Sequence, residues 1–389
     1  MKKVCFYLRT PFSLGGEQRV TTVLANYLAK AGYSVYFLVY DFNLSVDYEY
    51  YKLDKAVETV YIREAYELKN RILRRIPLEI RKRQKTRKIM KTLSGQKWIT
   101  MTKRDARLLA DYINRYDFDY VIGIANDHIA HLTIAKPFIK KAKIIGWQHS
   151  TFEAYFKMPG NRMYNYHELA QYMFDNVDRY VVQTESDAEK IHSEFNANCT
   201  VINNPNTFEE AAVSTLDNNR FISVGRFVEN KRFMLRLKAF RIFSQEHEDW
   251  KLYLVGDGVE KEKYLNYIER EGMQDNVILT GSTNETEKYY AESDIYLMTS
   301  RWEGWGMTVV EAMQHGLPVI SVDLPSIREI FGNSNCGIIL ESDSREEMAK
   351  CMKRLAENRE KMKTMGRNAV NRVKAFDREI IGKKWEAVL

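Results

Sequence analysis

Cysteine is scarce: Cys5, Cys199, Cys336 and Cys351 stand far apart, with no CxxC pair among them. That spacing argues against a disulfide framework or a zinc site and fits a reducing compartment. No apolar run approaches the ~20 residues needed to span a bilayer. The first such run, in MKKVCFYLRT, stops at Arg9. It is too short for a secretory signal and reads as a buried strand, so a soluble, cytoplasmic protein is expected. The seven histidines show no HExxH or similar metal spacing, and there is neither a GxSxG elbow nor a P-loop. Helix-turn-helix, zinc-finger and RNP patterns are also missing, which leaves a nucleic-acid partner without support.

What is present is a repeated unit of short apolar strand, polar or glycine-containing turn, and helix. VCFYL (4–8) leads through TPFSLGGE to a helical segment near 17–30, Gly32 stands where that helix would end, and VYFLVY follows. DYVIGIA (119–125), KIIGW (143–147) and RYVVQT (179–184) continue the pattern. A break falls at VINNPN (201–206). The pattern then restarts with FISVG (221–225), KLYLVG (251–256), NVILTG (276–281), DIYLMT (294–299), LPVISV (317–322) and CGIIL (336–340). Continuous apolar strands alternating with helices imply parallel sheets covered on both faces. With 389 residues, 45% of them hydrophobic, the chain can fill two cores. The expected fold is α/β, with two doubly wound Rossmann-like domains facing a cleft. Residues 1–205 form the first and 206–375 the second, while 376–389 form a terminal helix that Trp385 could anchor. Ligands of such folds bind at strand C-terminal ends.

The residues with chemical potential gather at those ends in the second half. Arg226 directly follows FISVG and Lys231 lies five residues on; a guanidinium and an ammonium so placed suit a diphosphate. In SRWEGWGMTVVE, Gly304 and Gly306 allow close backbone approach, and a helix starting at Met307 and Thr308 points amide donors at an anion. Glu303 precedes that helix start and Glu311 lies inside the helix. A carboxylate accepts hydrogen bonds from a vicinal diol, so Glu311 fits a ribose and Glu303 a hydroxyl of a second sugar across the diphosphate. An N-cap carboxylate plus a surface helix glutamate is the plainer alternative. In the first half, Gly15 and Gly16 lie in LGGEQRV, Glu17 and Arg19 just after them could touch acceptor or donor phosphate, and His149 closes the strand KIIGW. Glu185 in TESD reads equally as a cleft residue or part of a helix cap. The triplet DFD (117–119) precedes its strand instead of following one, which favours solvated loop acids over a metal site.

The pair Glu303/Glu311 with seven residues between, followed by AMQHGLPVI, together with Arg226/Lys231 and the Gly15–Gly16 loop, resembles the retaining glycosyltransferases of family 4, which have the GT-B fold. The resemblance runs in order through nearly the whole chain. It implies that Glu311 holds the donor ribose, Arg226 and Lys231 neutralise the departing diphosphate, Glu303 contacts the donor sugar near its reacting end, and His149 lies beside that sugar. It further implies transfer of a hexose or N-acetylhexosamine with its anomeric configuration kept, from a nucleotide sugar of the uridine diphosphate type, to a glycan or lipid-linked glycan in surface polysaccharide assembly. No metal or cofactor beyond the nucleotide-sugar substrate is called for. A nucleotide-sugar epimerase of the same fold and a non-catalytic sugar-binding subunit remain open. An epimerase would interconvert donor sugars without an acceptor, and a binding subunit would transfer nothing.

The net charge of +7 is unevenly spread. Between Lys69 and Lys91 there are eleven Lys or Arg and one acid, Glu79, interleaved with Leu73, Ile76, Ile80, Ile89 and Met90. Such a stretch suits an anionic membrane surface at the inner face of the cytoplasmic membrane, or a solvated helix pair broken at Pro77.

Overall fold

The computed structural model describes residues 1–13, 15–40, 49, 51–62, 91–159 and 163–389. The chain divides into two compact units, Met1–Pro205 with Arg378–Leu389, and Asn206–Asp377.

The first unit is built on a seven-stranded sheet. Its strands are β1 (Lys3–Leu8), β2 (Ser34–Val39), β3 (Glu58–Tyr61), β4 (Tyr120–Ile124), β5 (Lys143–Trp147), β6 (Arg179–Val182) and β7 (Thr200–Val201). They lie in the order 3-2-1-4-5-6-7, every neighbouring pair parallel. β1 is buried along Val4–Leu8 and β5 along Ile144–Trp147, as expected of strands covered by helices on both faces. Helix Arg378–Glu386 belongs to this unit although it lies more than 170 positions beyond Pro205 in sequence. Trp385 is fully buried with its ring 4.7 Å from that of Trp147, and Tyr27 donates to Glu386 at 2.5 Å.

The second unit carries a six-stranded sheet of β8 (Arg220–Val224), β9 (Lys251–Val255), β10 (Val277–Gly281), β11 (Ile295–Met298), β12 (Val319–Ser321) and β13 (Gly337–Ile339). The order is 10-9-8-11-12-13, again wholly parallel. One apolar core surrounds it, with Phe221, Ile222, Leu252, Tyr296 and Ile320 from the sheet packed against Phe233, Val310 and Met352 from the helices. In both units the strand order reverses beside the first strand, between β1 and β4 and between β8 and β11. Such a reversal opens a crevice at the carboxyl edge of a doubly wound sheet.

Candidate active site

In the second unit the loops after β8 and β11 leave the sheet side by side and are laced together. Arg301 N donates to Asn230 O at 2.9 Å, Asn230 Nδ2 to Trp302 O at 3.2 Å, and Thr299 Oγ1 to Lys231 O at 3.0 Å. This lacing brings Lys231 and Glu303, 72 positions apart, into an ion pair of 2.5 Å whose side chains are only 25% and 14% exposed. The sequence suggested two separate grips, Lys231 on a diphosphate and Glu303 on a sugar; in the folded protein they hold each other. Arg226, by contrast, is exposed, and its guanidinium has no hydrogen-bond or ion-pair partner among the described residues. The glycines of VGDG serve the protein's own packing. A Cβ on Gly256 would stand 1.9 Å from Gly225 O, and Phe227 N donates to Asp257 O at 2.8 Å, so the loop after β9 lies tightly under the loop bearing Arg226.

Helix Met307–Gln314 starts from Gly306, whose φ of +95° is left-handed backbone that favours glycine. Gly304 and Trp305 are buried just before it. Met307 and Thr308 supply the first-turn amides, at the positive end of the helix dipole. Tyr296 on β11 reaches the same place and donates to Thr308 Oγ1 at 2.6 Å. Burial pushes the Tyr296 phenol up to about 12, so it stays a donor at neutral pH. Glu311 is 3% exposed; Thr207 Oγ1 donates to its Oε1 and Tyr290 to its Oε2, each at 3.1 Å. It is neither a surface helix glutamate nor a bare carboxylate. Two protein hydroxyls orient it.

The first unit holds the other candidates at its own carboxyl edge. Gly15 caps helix Gly16–Lys30, and Gly15 N donates to Tyr51 at 3.1 Å. His149 lies two residues past β5, its ring 4.3 Å from that of Trp147. Gln183 Nε2 donates to His149 Nδ1 at 3.3 Å, which puts the imidazole proton on Nε2. That Nε2 is enclosed and has no hydrogen-bond partner among the described residues. Burial lowers the His149 pKa to about 3, so the ring is a neutral N–H donor at physiological pH.

Two residues, Asp127 and Arg236, were not singled out from the sequence. Glu17 is raised to about 7, first by burial and then by the negative charge of Asp127, which follows β4. The Tyr155 hydroxyl, raised by burial, senses both acids and accepts the His149 backbone N–H. Asp127 sits in IANDH, whose only signal was position after a strand end, while Tyr155 belongs to the aromatic-rich stretch 154–172, which reads equally as sugar stacking at an acceptor site or as edge packing. The second is Arg236, one of two cations in the run FMLRLKAF.

Other motifs resolve as framework. In DFD, Asp117 caps helix Lys103–Tyr116 in left-handed conformation, and Asp119 accepts the Lys3 amide at 2.8 Å. That amide, together with Lys141, lowers the Asp119 carboxyl. In TESD, Thr184 accepts from Asp187 N at 3.2 Å and caps the helix on which Glu185 is exposed. The basic stretch lies outside the described residues except for Lys91. No helix among the described residues is long and apolar enough to cross a membrane.

Residues 14–206 match the description Glycosyltransferase Family 4, and residues 206–372 match Glycosyl transferases group 1. The chain belongs to the family 4 type of GT-B glycosyltransferases. It is therefore a glycosyltransferase, with the two Rossmann-like units that define the fold. An uncharacterized glycosyltransferase of Haemophilus influenzae is 25% identical over 393 residues, covering all of both chains. The amylovoran biosynthesis glycosyltransferase AmsD of Erwinia amylovora is 23% identical over 96% of each. Among solved structures, S. aureus TarM in complex with fondaparinux, α-GlcNAc-glycerol and UDP superposes with a TM-score of 0.78 at 16% identity, over 100% of this glycosyltransferase and 99% of TarM. Anabaena HepE in complex with UDP and glucose gives 0.73 at 15% identity, over 100% and 99%. At those identities the likeness is one of fold.

Proposed function

We propose that this glycosyltransferase moves a hexose or N-acetylhexosamine from a uridine diphosphate sugar to a hydroxyl of a glycan or lipid-linked glycan, with retention of anomeric configuration, in the assembly of a cell-surface polysaccharide. The observation that carries the reading is the pairing of two laced loops with a helix start at the β8/β11 crevice. Arg226 is unpartnered there, and Lys231 and Glu303 face each other beside the Met307 and Thr308 amides. The uridine diphosphate donor is supported by the UDP in the TarM and HepE complexes. The acceptor class is supported by AmsD and by a Campylobacter jejuni relative, 26% identical over 219 residues, named as an N-acetylgalactosaminyltransferase acting on a diphospho-undecaprenol-linked saccharide.

In this reading Arg226, Lys231 and the two amides meet the charge that grows on the leaving diphosphate. Glu311, oriented by Thr207 and Tyr290, accepts the ribose hydroxyls. Glu303 and the neutral Nε2–H of His149 address sugar hydroxyls. The acceptor hydroxyl attacks the anomeric carbon on the side from which the diphosphate leaves, and a diphosphate oxygen takes its proton. The protein's contribution is positioning and preorganised charge, and neither metal nor cofactor is assigned a role. A lipid-linked acceptor would place the enzyme at the inner face of the cytoplasmic membrane, with 69–91 toward anionic lipid. The test is titration calorimetry with UDP, followed by transfer of labelled UDP sugar into membrane extract. Removing one such electrostatic group costs roughly 10²–10³ in turnover, so Arg226→Ala should bind UDP more weakly and lose at least about two orders of magnitude in transfer. Unchanged binding and turnover would overturn the reading.

A further inference from the structure

Arg236 lies on helix Phe233–Phe243, which begins where the loop carrying Arg226 and Lys231 ends, and is 1% exposed. Its guanidinium stands 4.1 Å over the ring of Phe233, while Nε and Nη1 are enclosed without a hydrogen-bond partner among the described residues. Among the described residues no carboxylate is paired with it. A buried charge of this kind is costly unless something compensates it, and a cation over one aromatic face offsets only part of that cost. Burial lowers Arg236 to about 10, which leaves it charged at neutral pH; the groups within its electrostatic range are Tyr296, Tyr264, Glu303 and Arg232.

Those neighbours locate the charge. The Tyr296 hydroxyl donates to Thr308 in the first turn after Gly306 and senses Arg236, Glu303 and Glu311 together. Arg236 therefore lies within electrostatic range of the floor on which Lys231, Glu303 and the helix start meet. With Lys231 and Glu303 cancelling each other, the buried guanidinium is an uncompensated positive charge at that floor.

We infer that Arg236 is a positioning residue of the donor site, a third cation that holds the diphosphate electrostatically and finds in it the counter-charge the protein does not provide. The inference rests on the proposed donor reading and assigns this site a preference for charged over uncharged ligands. The experiment compares dissociation constants for UDP, by calorimetry, and for uridine, by ligand-observed NMR titration, in wild type, Arg236→Leu, Arg236→Met, Arg236→Lys and Arg226→Ala. Arg236→Leu and Arg236→Met should weaken UDP roughly tenfold while uridine stays within about twofold, because uridine carries no phosphate. Arg236→Lys should keep UDP within about threefold of wild type. The ligand-free Leu variant should melt at or above wild type, as replacement of buried charge by apolar volume often does. Equal weakening of UDP and uridine would mean a merely structural arginine and overturn the inference. So would unchanged UDP affinity in both neutral variants while Arg226→Ala still loses UDP. If wild type itself binds UDP no better than uridine, the donor reading fails instead.

Discussion

Lys231→Met tests the site most directly, because its partner Glu303 is then left 14% exposed without its cation. Exposed ion pairs contribute about 0–1 kcal/mol, whereas breaking a fully buried one costs about 3–5. At 25% and 14% exposure the pair falls between, near its lower end, and about 1–2 kcal/mol is expected. For a unit of about 170 residues that corresponds to a fall of roughly 3–6 °C in Tm. Adding Glu303→Gln removes the stranded charge, so the double variant should recover most of that loss. Activity should behave otherwise. Lys231→Met loses roughly 10²–10³ in transfer by the loss of one electrostatic contributor, and the double variant recovers none of it. Differential scanning calorimetry and initial-rate transfer assays on the four proteins of the cycle give both couplings. If turnover returned together with stability in the double variant, the pair would be a strut and the reasoning would fail.

Two further outcomes follow from the geometry. His149 has its folded pKa lowered to about 3 from the ordinary 6.5, so its neutral form contributes stability above pH 6.5 that is lost as pH falls toward 3. Between pH 7 and pH 5 wild type should lose about 2 kcal/mol more than His149→Gln in paired denaturant titrations, and equal losses would place the imidazole in water. Trp385→Ala removes a fully buried indole packed on Trp147 and should cost about 3–5 kcal/mol in urea unfolding of the first unit; a loss under 1 kcal/mol would mean the terminal helix is not part of that core.

The strands were legible where burial on both faces makes them continuously apolar, and KIIGW needed no adjustment. The edge strands of the first sheet were not, although NVILTG and CGIIL marked those of the second. Glu58–Tyr61 and Thr200–Val201 are short, partly polar and paired on one side only, so neither burial nor alternation marks them. The candidate site was legible as residue types at strand ends, which is a local property. Its pairing was not, because the meeting of Lys231 with Glu303 depends on β8 and β11 becoming neighbours across two intervening strands. Glu311 shows the same limit. Its partners Thr207 and Tyr290 come from outside its own helix, so a helical glutamate in sequence gives no sign that it is buried. Arg236 was hidden for the opposite reason: beside Lys238 and Arg241 on the same helix it resembles one more cation that has found solvent.

The terminal helix has a consequence for how the protein is made. A ribosome delivers Trp147 early, yet the indole that covers it arrives only with residue 385, after the whole second unit has been synthesised. The second unit can close as soon as its own residues emerge, while the first must keep an apolar edge uncovered until residue 385 has been made. Premature termination anywhere in the second unit should therefore yield chains that expose Trp147 and turn over quickly, even when their first 205 residues are intact.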